Sequence, residues 1–124
     1  MTECSRGDVV LVSFVFTDES GERRRPAVIV SSDAYHQSRQ EAIIAAITSR
    51  TDRVLVGDHL ISDWQGAGLL FPSVATAIIR TIKQGMIAKK LGTMPRTDMQ
   101  AIEDNLRDTL GLAVRDSQAQ ETTS

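Results

Sequence analysis

Two short stretches of the chain carry side chains suited to chemistry on an anion. The first is Glu22-Arg23-Arg24-Arg25-Pro26. A proline fixes its own φ and disfavours the helical region for the residue before it, so Arg25 is expected to be held extended. Arg23 and Arg24 are expected to ride on a looser hairpin loop. A guanidinium of fixed direction offers a planar fork of donors that fits two phosphate oxygens at once. The second stretch is Thr48-Ser49, directly after the apolar Ala42-Ile43-Ile44-Ala45-Ala46-Ile47. Hydroxyls at the end of a buried strand can hydrogen-bond a phosphate or a ribose 2′-OH. Each stretch also has a plainer reading. Three arginines make a solvated hairpin tip, and two hydroxyls can finish a strand and open a turn. Alone, neither decides between the two.

Other chemistries find little material. Cys4 is the single cysteine, so no internal disulfide can form, and its place near the chain end reads as a bystander on a loose terminus. His36 and His59 are the two histidines and stand far apart, with no second ligand at helical spacing. The expectation is no metal site and no cofactor. As proton acceptors Glu19 and Glu22, near Arg25 in sequence, are candidates, and the imidazole of His36 is another; each also reads as ordinary surface.

The net charge of −2 over 124 residues argues against a protein that coats nucleic acid by bulk positive charge. The charge is unevenly spread. Residues 98–124 carry six acids against Arg107 and Arg115, a net of −4, which leaves +2 for residues 1–97. No apolar run approaches the roughly 18 residues that a membrane span needs, and the N-terminus lacks a basic-then-apolar pattern. A cytoplasmic location is the default expectation.

The elements that must position these residues are mostly strands. Asp8 to Phe16 is β-branched and aromatic at odd and even positions alike, so it is expected to be covered on both faces. Residues 17–22 supply turn chemistry, with Gly21 able to take a positive φ. Pro26 to Ser31, Ala42 to Thr48, Asp58 to Ile61 (weakly), Ser73 to Ile82 and Met86 to Leu91 read as further strands. Helical spacing of Met99, Ile102, Leu106 and Leu110 predicts one closing helix. Thr97 with Gln100 suggests a capping box at its start, and Gly111 a left-handed cap at its end. The whole is one domain over residues 1–115, mainly β with α elements: a small barrel closed by a C-terminal helix. Residues 116–124 form a polar tail expected to be disordered.

Taken in order, the pieces resemble a known family. Arg6-Gly7-Asp8-Val9-Val10-Leu11-Val12, Phe16-Thr17-Asp18, Arg25-Pro26-Ala27-Val28-Ile29-Val30-Ser31 and Ala46-Ile47-Thr48-Ser49 look like the opening half of the MazF/PemK toxins of toxin–antitoxin pairs. Ala67-Gly68-Leu69, Pro72-Ser73, Arg80-Thr81-Ile82 and Leu91-Gly92 agree with the later half. The resemblance implies an SH3-like barrel of the kind shared with CcdB gyrase poisons, a homodimer and a cognate antitoxin. It also implies metal-independent, sequence-selective cutting of single-stranded RNA. It assigns Arg25 and Thr48 as the catalytic pair and Arg23, Arg24, Ser49, Ser31, Thr17 and Arg80 as RNA contacts. The chain departs from several relatives at Ala77-Ile78-Ile79, where they carry a polar residue, so base preference does not carry over. A non-enzymatic gyrase poison, or an inactive relative that only binds antitoxin or RNA, would use the same barrel.

Overall fold

The computed structural model describes residues 4–15 and 22–112. Thr17, Glu19, the Gly21 turn and the tail from residue 116 lie outside them. The elements are β1 (Asp8–Val15), β2 (Glu22–Ile29), α1 (Asp33–Ser38), β3 (Glu41–Thr48), β4 (His59–Leu60), β5 (Val74–Lys83), β6 (Ile87–Thr93) and α2 (Arg96–Thr109), with a single 3₁₀ turn before β6. One six-stranded sheet runs in the order β4-β5-β3-β2-β1-β6, every neighbour antiparallel. The fold is the expected mainly β one with a C-terminal helix. The hydrogen-bonded ladder is nevertheless open between β4 and β6 among the described residues.

Both faces of the sheet are covered, which is why β1 shows no alternation of polar and apolar residues. Val9, Val28, Ala45 and Ala75 pack with Ile61, Ala67, Leu69, Met94 and, from α2, Ile102. On the opposite pleat Val10, Val12, Ala27, Ile29, Ala42 and Ile44 pack with Ile82 and Ile87. Successive residues of a strand point to opposite faces, so Val9 and Val10 enter different clusters. Cys4 belongs to the second cluster at 8% exposure, not to a loose end. Burial, followed by the charges of Asp8 and Asp33, pushes its thiol above the ordinary range.

Three local features differ from the sequence expectation. β2 begins at Glu22, so Arg23 and Arg24 sit in the ladder opposite Phe14 and Ser13 rather than on a loop. A short helix, α1, is capped by Ser32, whose hydroxyl accepts from Tyr35 N at 3.1 Å. None of its residues is buried, so no apolar period announces it. α2 is not opened by a Thr97 capping box: its N-cap is Pro95, with no side-chain cap. Pro95 O accepts the first helical bond from Met99 N at 2.8 Å, so the turn has begun before Thr97. The other end is as expected: Gly111 takes φ +69°, Gly111 N donates to Asp108 O and Leu112 N to Arg107 O, a Schellman closure.

Asp98 ties α2 to the rest. It is 1% exposed, and its carboxylate accepts from Ser62 N (2.8 Å) and Asp63 N (3.1 Å) and meets His59 Nε2 at 2.7 Å. Burial pushes its carboxyl upward. The His59 hydrogen bond, the two backbone donors and the charge of His59 outweigh that and leave it below the ordinary range.

Candidate active site

Arg25 and Thr48 come from neighbouring strands. β2 and β3 pair Ile29 with Ile44, Val28 with Ala45 and Ala27 with Ala46. Arg25 and Thr48 each lie two residues beyond the last of these pairs, on neighbouring strands. Both line one open groove of about 1230 Å³. Arg25 is exposed at its rim and half-buried Pro26 follows it. Thr48 Oγ1 accepts from Arg50 N at 3.1 Å. That bond fixes the direction of the oxygen and leaves the hydroxyl proton to be donated elsewhere.

The groove collects positive charge that the overall composition conceals. Its described lining holds Arg25, Arg50, Arg53, Arg80, Lys89 and Lys90 against the single carboxylate of Asp58. Arg50 and Lys90 also have acidic partners, Asp52 at 3.4 Å and Asp8 at 3.2 Å. Asp58 is occupied with the scaffold. Its Oδ2 accepts from Leu55 N and its Oδ1 from Ala77 N, each at 3.0 Å, which fastens the loop after β3 onto β5. Apolar side chains complete the surface: Leu55, Val56, Leu70, Phe71 and Ile78 are all exposed and all line the groove.

The far wall explains two of the sequence motifs. Gly68, at φ +86°, lies so close to β6 that a Cβ there would stand 2.2 Å from Leu91 O. A Cβ on Gly92 would stand 2.6 Å from Ala67 O. Ala67-Gly68-Leu69 and Leu91-Gly92 are thus two halves of one backbone contact that admits glycine alone.

A family model for PemK-like, MazF-like toxins of type II toxin–antitoxin systems matches residues 5–110. The chain belongs to that family. Among solved structures it is similar to a mycobacterial endoribonuclease in complex with its cognate antitoxin, at 23% identity over 91% of this chain and 100% of that one, with a TM-score of 0.70. It is likewise similar to the MazE–MazF complex of Deinococcus radiodurans, at 22% identity over 89% and 98% of the two chains and a TM-score of 0.72. The Mycobacterium tuberculosis toxin MazF-mt6 shares 18% identity over 86% and 99%, with a TM-score of 0.69. No curated protein sequence matches the chain.

Within this PemK/MazF-like chain the residues expected at the site divide. Arg25, Thr48, Ser49 and Arg80 line the groove together. Arg23 and Arg24 lie on the same strand, exposed, but outside the lining. Ser31 stands apart at the far end of β2. It is 6% exposed, accepts from Ile43 N at 2.9 Å and meets His36 Nε2 at 2.5 Å. The His36 ring is covered in that same contact, its side chain 6% exposed, away from the groove. Glu22 pairs with Val15 at the start of β2. Arg50, Arg53, Lys89 and Lys90 were not anticipated. Lys89-Lys90 inside an otherwise uncharged strand was the available signal, but which surface they share depends on the register of β6 against β1.

Among the described residues no group of three His, Cys, Asp or Glu stands close enough to hold a metal ion, and no helix is long and apolar enough to cross a membrane.

Proposed function

We propose that this toxin is an endoribonuclease that cuts single-stranded RNA sequence-selectively and without a metal, in the cytoplasm, as the toxin of a type II pair. The observation that supports the reading is that Arg25 and Thr48 both line one groove rich in cations. RNA chains bind through their phosphates, and clustered Arg and Lys supply that affinity. The ribose 2′-oxygen attacks the neighbouring phosphorus while the bond from phosphorus to the 5′-oxygen breaks. The 2′-OH gives up its proton to a base, and the departing 5′-oxygen gains one. The products are a 2′,3′-cyclic phosphate and a 5′-hydroxyl.

Arg25 neutralises the charge that accumulates on the phosphorane, and the Thr48 hydroxyl donates a hydrogen bond to a non-bridging oxygen. A guanidinium offers donors and no acceptor, so the base is another group, water included. Ser49 and Arg80 contact the strand within the groove, and Arg23, Arg24 and Thr17 add further contacts. The protein acts as a homodimer, and a cognate antitoxin silences it by covering the groove; the exposed Leu55, Val56, Leu70 and Phe71 give such a segment apolar purchase.

The test is incubation of purified protein with a long defined RNA in EDTA, followed by end mapping. The expected result is cutting at a recurrent motif with cyclic phosphate and 5′-hydroxyl ends, abolished in a folded Arg25→Ala variant. Cutting by Arg25→Ala at the wild-type rate removes the assignment. Inhibition of gyrase supercoiling without RNA cleavage replaces it with a gyrase poison.

A further inference from the structure

We infer that Arg80 and Phe14 together form a stacking platform for one nucleobase of the bound strand, an inference that rests on the ribonuclease reading above. The Arg80 guanidinium lies over the Phe14 ring, 4.7 Å from its centroid. Arg80 is on β5 and Phe14 on β1, and β3 and β2 lie between them in the sheet. Side chains from strands so far apart meet only because the sheet curls. Breaks of register in β3·β5 and in β1·β6 provide the local bends that favour it.

On the two strands between, Ala27 pairs with Ala46, and these small side chains also line the groove. Both partners line the groove that holds Arg25 and Thr48. A guanidinium is flat and delocalised. The half-buried Phe14 ring anchors it in the groove lining, where a flat cation can stack on a base.

The surroundings favour a base over a phosphate. Ile78, 64% exposed, is on the same strand as Arg80, and Phe14 and Ile44 flank the guanidinium along the lining. Phosphates have their partners in Arg25, Arg53 and Lys89. The segment Ala77-Ile78-Ile79 brings no side-chain donor or acceptor to read a base edge. A base on this platform is therefore held by its π-face, which every base possesses, and is only weakly discriminated. The chain's selectivity then resides at other positions of the cleavage motif.

The experiment uses an oligonucleotide spanning the mapped cut, with a 2′-O-methyl group on the scissile ribose so that it binds without reacting. One abasic position at a time is introduced, and affinity is read by fluorescence anisotropy. At one position the abasic change weakens binding to wild-type protein about tenfold, whereas exchanging the four bases there changes it less than about threefold. Arg80→Lys keeps the charge and loses the plane; Phe14→Leu keeps the apolar bulk and loses the ring. Each is expected to bind the intact oligonucleotide about tenfold more weakly and to lose the abasic penalty.

Wild-type affinity in Arg80→Lys, or an abasic penalty that persists in it, overturns the platform and leaves Arg80 as a point charge. Arg80 is exposed, so that variant keeps the test usable if Phe14→Leu does not fold. If wild-type protein neither binds nor cuts RNA, the ribonuclease reading fails. If it cuts RNA and no position couples to Arg80, the platform alone fails.

Discussion

Replacing Thr48 with valine separates the work of one oxygen from the work of a side-chain volume. The two residues are nearly isosteric, so the packing of the β3 end is retained. In the folded chain Thr48 Oγ1 makes one internal hydrogen bond, accepting from Arg50 N at 3.1 Å. Arg50 is exposed, and water takes over that N–H when the oxygen is removed. The stability loss is therefore about 0.5–1 kcal/mol, the lower part of the range for a single hydrogen bond. The catalytic loss is larger, because the donated proton meets an oxygen whose charge grows only in the transition state. Removing one such donor costs about 10²–10³ in rate in enclosed sites. The groove is open and Thr48 half-buried, so about 100-fold is expected.

The assay is single-turnover cleavage of a short quenched oligonucleotide at saturating protein, run beside urea unfolding of each variant. Thr48→Ser restores the oxygen with a less restricted rotamer and should recover most of the rate. A folded Thr48→Val protein that cuts within threefold of wild type refutes the hydrogen-bond role. So does a Thr48→Ser protein as slow as the valine variant, since the two differ in the hydroxyl.

Two further predictions concern the scaffold. Asp98 has a folded pKa below its unfolded value near 3.8, so its contribution is complete above that value and fades as pH falls through the folded pKa. Wild-type unfolding free energy should therefore drop below about pH 4; Asp98→Ala should be destabilised by about 3 kcal/mol at neutral pH and lack that part of the acid slope, and an unchanged slope would show that another carboxylate governs it. Gly92→Ala should lose about 2 kcal/mol or more, because its Cβ would press on the Ala67 backbone oxygen at 2.6 Å; a urea midpoint equal to wild type would mean that the loop yields freely.

Several features were legible because they depend on near neighbours in sequence. β1, β3 and β5 are rich in β-branched residues, and the burial of β1 on two faces follows from its missing alternation. The core face of α2 follows from the spacing of Ile102 and Leu106, and Gly111 closes the helix as its position suggests. The start of α2 was misplaced because Thr97 and Gln100 satisfy a local pattern. Pro95 takes the cap, and the carboxylate of Asp98 in that first turn is spent on Ser62 and Asp63, which are distant in sequence. Arg23 and Arg24 looked like loop residues because charge and strand are rarely neighbours, yet pairing with Phe14 and Ser13 holds them in the ladder.

What the residues alone determined is an inventory and a set of periods: an arginine restrained by Pro26, a hydroxyl ending an apolar run, six strands and a closing helix, and a series of motifs in family order. Which of them share a surface was settled by tertiary structure. The adjacency of β2 and β3 brings Arg25 and Thr48 to one groove. The curl of the sheet lays Arg80 on Phe14, and the course of β6 brings Lys89 and Lys90 to the same groove. The same long-range pairing carries Ser31 and His36 away from it. The physical reason is that a period fixes only which face of its own element a side chain takes. Strand pairing and sheet curvature arise from contacts between residues tens of positions apart, and they fix the distances at which charges, hydroxyls and rings can act together.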